Sequence, residues 1–103
     1  MSQEVFSALG NQTRREILSH LLTGPLSVSA LVEEFPLSRS ALSEHLAVLR
    51  NADLVRDVPH GQQRLYHLVP DRLREIDEWL SPFESYWRDR LSGLRDMRET
   101  EEQ

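Results

Sequence analysis

Cysteine and lysine are both missing from this 103-residue chain. Without cysteine there can be no disulfide, no thiolate metal site and no thiol-based redox sensor. Without lysine, all 12 basic residues are arginine. Arginine's planar fork suits two-point contact with phosphate and guanine, although codon usage would explain the bias equally well. Four scattered glycines form no phosphate-cradling loop. No Ser/His/Asp set sits on a strand-turn-helix elbow, so an enzyme is not expected. No apolar run approaches a membrane span, and the N-terminus lacks the charged-then-apolar pattern of a signal peptide. The expectation is a cytoplasmic protein with no membrane partner and no cofactor.

What is present fits one small globular domain. The hydrophobic content is 39%, enough for a core but with little to spare, and chains of this size often add burial by oligomerising. The net charge of −5 argues against a nucleic-acid partner until its distribution is read. Residues 71–103 hold six arginines against ten acids, a balance of −4, whereas residues 1–70 hold six against seven, a balance of −1. Between Pro36 and His67 stand Arg39, Arg50, Arg56 and Arg64 against Glu44, Asp53 and Asp57, with three histidines. A phosphate backbone responds to this local footprint and not to the total.

Along the chain, Glu4–Leu9 reads as a short helix with Val5, Phe6 and Leu9 on one edge. Asn11 can cap a second helix bearing Ile17, Leu18, Leu21 and Leu22, which Gly24-Pro25 terminates. Ser27 can cap a third over Val28–Phe35, and Ser38 a fourth that runs to about Ala52. The period then turns to alternation, with strands over Val55–Val58 and Arg64–Leu68 and a polar connector, Pro59–Gln63, between them. From Asp71, residues Leu73, Ile76, Leu80, Phe83, Trp87, Leu91 and Leu94 make a long helical stripe. Ser81-Pro82-Phe83-Glu84 has the form of a capping box, which favours a helix restart there over a kink. Residues 1–98 are read as one domain and 99–103 as a frayed acidic tail.

Two helices joined by a tight turn and followed at once by a hairpin predict a mostly α fold with a β-hairpin wing, the winged helix-turn-helix. On the fourth helix, Ala41, Leu42, Leu46, Val48 and Leu49 share one side, while Arg39, Ser40, Ser43, Ala47 and Arg50 share the other, with Glu44 at the border. Small serines let such a helix approach base edges, Arg39 can reach guanine or phosphate, and the free N–H groups behind Ser38 favour a phosphate. An ordinary solvated face would show the same periodicity. The hairpin beside it, with the polar tip Gly61-Gln62-Gln63-Arg64, raises the binding reading.

Several segments together match a known pattern: Ala8-Leu9-Gly10-Asn11-Gln12-Thr13-Arg14-Arg15-Glu16-Ile17-Leu18, Leu26-Ser27-Val28-Ser29-Ala30-Leu31, the run from Ser38 to Arg50, Leu54-Val55, and Gly61 to Leu68. In order and spacing they resemble the ArsR family of winged-helix repressors. The resemblance implies a homodimer that binds an imperfect palindrome in double-stranded DNA and represses until a signal, such as a small-molecule effector, releases it. Carried over by position, the DNA contacts are Arg39, Ser40, Ser43 and Glu44, with Gln62 and Arg64 in the wing. Glu44 stands where the family often has a neutral polar group, and Asp53 where it usually has glycine. Aspartate tolerates the left-handed conformation.

Many members of the family sense metals, but the third helix here reads Ala30-Leu31-Val32-Glu33-Glu34 with no thiolate, and the last helix has no histidine. His20, His45, His60 and His67 show no ligand spacing. His45 is expected to be packed and hydrogen-bonded; His60 is either a wing-tip contact or a solvated loop residue. No metal is expected. The family also pairs its terminal helices, which assigns Phe6, Leu9, Leu80, Phe83, Trp87, Leu91 and Leu94 to a dimer interface. An aromatic pocket for an apolar effector is the other reading of Trp79, Phe83, Tyr86 and Trp87. A different class of function, a winged-helix protein-interaction module that does not bind DNA, draws its support from the acidic net charge.

Overall fold

Capping side chains place the short helices. In the computed structural model, which describes the backbone of residues 3–101 and the side chains of residues 3–91, three of four interior helix starts follow the sequence. Asn11 Oδ1 accepts from the Arg14 N–H at 3.1 Å and opens α2 (Gln12–His20) after α1 (Gln3–Leu9). Ser27 Oγ accepts from the Ala30 N–H at 3.1 Å and opens α3 (Val28–Glu34). Ser38 Oγ accepts from the Ala41 N–H at 3.0 Å and opens α4 (Arg39–Asn51). Each satisfies a donor that a helix N-terminus would otherwise leave unpaired, worth about 1 kcal/mol.

The end of α4 is equally specific. Asp53 takes φ 58°, its N–H donates to the Arg50 carbonyl at 2.9 Å, and the Leu54 N–H reaches back to the Leu49 carbonyl at 3.0 Å. This is the paired closure of a Schellman motif, with the buried Leu49 and Leu54 as its apolar contact. Aspartate does occupy the left-handed position that glycine usually fills.

The chain divides into two compact units, Met1–Leu73 and Arg74–Gln103. In the first, Val5, Ile17, Leu31, Leu42, Leu46, Leu49, Leu54 and Val55 are fully buried, each contributing on the order of 2 kcal/mol of apolar burial. A three-stranded antiparallel sheet, ordered β1-β3-β2, lies beside the helices. It contains β2 (Val55–His60), β3 (Gln63–Leu68) and a two-residue strand, β1 (Leu26–Ser27), which pairs Leu26 with Tyr66. The periodicity gave no sign of β1, because a two-residue strand has no period to read. The hairpin is tighter than expected: the strands close on Gly61-Gln62 alone, with Gly61 at φ 65° and His60 opposite Gln63. Pro59 therefore sits inside β2, tolerable because β2 is an edge strand that can spare an N–H.

Other expectations are corrected. Leu22, expected on an apolar face, is 73% exposed, and Val48 is exposed at the edge of the buried side of α4. Phe6 and Leu9 are half-buried, while Ala8 takes the inward place on α1. Pro70–Leu73 forms a 3-10 turn, so the last helix starts at Arg74 and not at Asp71.

The second unit is one continuous helix, α5 (Arg74–Glu101), with Pro82 inside it. No restart occurs at Ser81. A proline removes one ladder hydrogen bond, but the apolar spacing through Leu80, Phe83 and Trp87 keeps its phase across the site and favours a single helix. The Trp79 and Phe83 rings pack with centroids 5.0 Å apart, tilted by 43°, and the Arg90 guanidinium lies 4.6 Å above the Tyr86 ring. The expected acidic tail, 99–103, falls partly in α5 and partly outside the described residues. Among the described residues no helix is long and apolar enough to cross a membrane.

Candidate nucleic-acid interface

The α4 helix stands on Leu42, Leu46 and Leu49, all at 0% exposure. Burying that side turns the opposite one outward: Ser38, Arg39, Ser40, Ser43, Glu44 and Arg50 are exposed. In the hairpin, Gln62, Gln63 and Arg64 are exposed at the tip and the first positions of β3. The two elements meet across an open groove of about 240 Å³ whose lining includes Ser27, Ser29, Arg39, Gln62, Gln63 and Arg64. Two guanidinium groups and two carboxamides thus face one cleft, a donor-rich surface suited to phosphate and base edges. Ser40, Ser43 and Glu44 do not line this groove; they lie exposed on α4.

A second hollow, of about 330 Å³, is lined by Gln3, Glu4, Ser7, Val48, Asn51 and Ala52. It has no cation and one carboxylate, so a polyanion has no reason to prefer it.

The arginines of the first unit divide into working groups that composition could not separate. Arg14 is consumed internally: Nε donates to the Ala8 carbonyl at 2.7 Å, one Nη to the Ser7 carbonyl at 3.2 Å, and the other lies 3.4 Å from His45 Nδ1. Arg15 donates to the Leu9 carbonyl at 2.7 Å. Both neutralise the carbonyl end of α1, and Arg14 also ties that end to α4. His45 is accordingly half-buried and hydrogen-bonded, as expected of it. The Arg14 contact was not foreseen, since the two residues are 31 apart in sequence.

Arg39 reaches back to the first turn of α3, donating to Ser29 Oγ at 3.4 Å. Arg64 Nε donates to Asp57 Oδ2 at 2.8 Å, and Arg50 approaches the same oxygen at 3.6 Å. The Arg64 hydrogen bond is the largest influence on Asp57, and with the positive charge of Arg50 it holds the carboxyl below the ordinary 3.8, while desolvation pushes the other way. Asp57 was visible in the sequence only as a charge that weakened the local footprint.

The expected interface residues on α5 are largely uncovered. Trp79 is 44% exposed, Phe83 47%, Tyr86 53%, Trp87 60% and Leu91 62%, while Leu80 is half-buried. The Leu94 side chain lies outside the described residues. Among the described residues no cluster of three or more His, Cys, Asp and Glu side chains is placed to hold a metal ion.

Comparison with known proteins follows the same lines. The family model described as "Bacterial regulatory protein, arsR family" matches residues 11–57, from the cap of α2 to the middle of β2. The HTH-type transcriptional regulator Rv2034 of Mycobacterium tuberculosis is 40% identical over 96 residues, spanning 93% of this chain and 87% of that protein. The transcriptional repressor SdpR of Bacillus subtilis is 33% identical over 79 residues, 77% of this chain and 88% of its own length. Among solved structures, an ArsR-like transcriptional regulator from Rhodococcus sp. RHA1 superposes with a TM-score of 0.69 at 32% identity, covering 91% of this chain and 89% of that one.

Proposed function

The chain belongs to the arsR family of bacterial regulatory proteins, and from that premise we propose that it is a DNA-binding transcriptional regulator acting as a homodimer on an imperfect palindrome. The groove shared by Arg39, Gln62 and Arg64 is the observation that carries the reading. Helix and wing there present cations and amides at one edge, while the buried leucines of α4 hold the helix to its support. Arg39, Ser40 and Ser43 meet base edges and phosphate in the major groove, with Ser38 at the helix start. Gln62 and Arg64 track the adjacent backbone. Glu44 accepts from a cytosine amino group, a major-groove donor that suits a carboxylate.

Dimerisation rests on the uncovered stripe of α5 and, separately, on Phe6 and Leu9 of α1. Two recognition helices then enter successive major grooves about one DNA turn apart. Repression is the reading favoured by the Bacillus subtilis relative, a named repressor, and a dimer seated on a promoter excludes polymerase without further machinery. Release does not depend on a metal: the chain has no cysteine and α5 has no histidine, so the donor sets the family uses are not present in its residues.

Selection of bound duplexes from a random pool, followed by hydroxyl-radical footprinting on the winner, tests this reading. Two protected patches related by a dyad, about 34 Å apart, are expected, unchanged by EDTA or added zinc. Failure to enrich any duplex at any salt concentration would favour a protein-interaction module instead.

A further inference from the structure

We propose that Asp57 is a positioning residue of the DNA interface, fixing Arg64 within the wing and linking the wing to the recognition helix through Arg50. The placement follows from the sheet register. Pro59 is opposite Arg64 and Asp57 is opposite Tyr66, so Asp57 and Arg64 are diagonal neighbours on one face of the hairpin, close enough for long side chains to meet. Tyr66 and Val55 on that face are buried, which turns it toward the helices. Arg50 comes from the last turn of α4, and the Asp57 side chain is only 16% exposed.

The chemistry of the contact leaves Arg64 able to work. Asp57 Oδ2 takes the Nε–H at 2.8 Å, an end-on contact that does not engage the whole fork. The terminal amino groups of Arg64, whose side chain is 57% exposed, are left for a second acceptor, and Arg64 lines the groove with Arg39. A phosphate there meets a guanidinium already held in place, so less side-chain entropy is lost on binding. The 3.6 Å approach of Arg50 adds a link from the same carboxylate to α4. Pairing with β1 and the buried Val55 and Tyr66 anchor the base of the hairpin, and the Asp57 contacts extend that anchorage toward its exposed tip.

This inference rests on the reading that the wing meets DNA, and the experiment separates the two. Arg64→Ala, Asp57→Ala, Asp57→Asn and the double variants would be titrated by fluorescence anisotropy onto a labelled duplex recovered from a random pool, across a salt series. Thermal melts would establish that each is folded. Arg64→Ala should weaken binding and make the salt slope shallower by about one. Asp57→Ala should weaken it about fivefold, as expected for loss of one ion pair, with a similarly shallower slope, and should lose most of that effect in the Arg64→Ala background, where only the Arg50 link is left to break. Asp57→Asn, which keeps an oxygen acceptor for Nε, should fall between wild type and Asp57→Ala. If Asp57→Ala melts out, Asp57→Asn alone and with Arg64→Ala carries the same cycle. Tighter binding by either Asp57 variant, or full additivity with Arg64→Ala, would overturn the proposal and leave the wing contact standing. No effect of Arg64→Ala would overturn both.

Discussion

Helices α4 and α5 are written in the same pattern and end in opposite conditions. Both repeat apolar residues at three- and four-residue steps. In α4 the repeat is Leu42, Leu46 and Leu49, all at 0% exposure. In α5 it is Phe83, Trp87 and Leu91, at 47%, 60% and 62%. Periodicity reports that a face needs covering and is silent about what covers it. For α4 the cover is within the chain; on α5 the large aromatics stay exposed, the condition that the proposed dimer requires. Their polar faces differ as well. That of α4 is small and serine-rich with arginines at both ends, and it lies beside the wing.

The contrast can be broken at α4. Leu46→Ala should cost about 2–5 kcal/mol of stability, the range for a leucine cavity in a core, seen as a lowered denaturation midpoint with DNA binding lost alongside. Trp87→Ala should act differently: a helical, folded chain whose dimer is weakened by about 2 kcal/mol or more, as for an interface aromatic. Sedimentation equilibrium distinguishes the two, because only the second variant shifts toward the 12.0 kDa monomer while keeping its circular dichroism. A Trp87→Ala chain as dimeric as the wild type would remove α5 from the interface.

Arg39→Ala sharpens the other side of the comparison. It should leave both fold and dimer intact and weaken the selected duplex by about 1–3 kcal/mol, the value of a good base contact. The smallest effect is electrostatic and local to the hairpin. Because the Asp57 carboxyl is held below 3.8 by Arg64 and Arg50, its pairing adds stability at neutral pH that is lost as pH falls through that depressed value. A carbon-13 titration of the carboxyl should show a midpoint below 3.8, moving upward in Arg64→Ala. An unperturbed midpoint would dissolve the pair.

Features fixed by neighbours in sequence were legible there. Asn11, Ser27 and Ser38 cap as expected because an N-cap needs only the three residues that follow it. Asp53 takes the left-handed position because a Schellman closure is equally local. The order of the four helices and the hairpin was readable for the same reason. What escaped depends on distant partners. Strand β1 exists because Leu26 finds Tyr66, and Arg14 supports α4 through His45 across 31 residues. Asp57 looked like a liability until the register put it diagonally from Arg64. Pro82 misled in the other direction: a local capping signal was overruled by an apolar spacing that keeps its phase from Ile76 through Leu80, Phe83 and Trp87 to Leu91.

The central claim is that two copies, joined through α5, bring two α4 helices to one DNA site. Titrating the wild-type chain into the selected duplex, with mass measurement of the complex at several salt concentrations, tests it most directly. Two chains per duplex, with log K falling steeply against log salt, is the expected result. One chain per duplex, or an affinity indifferent to salt, would contradict it.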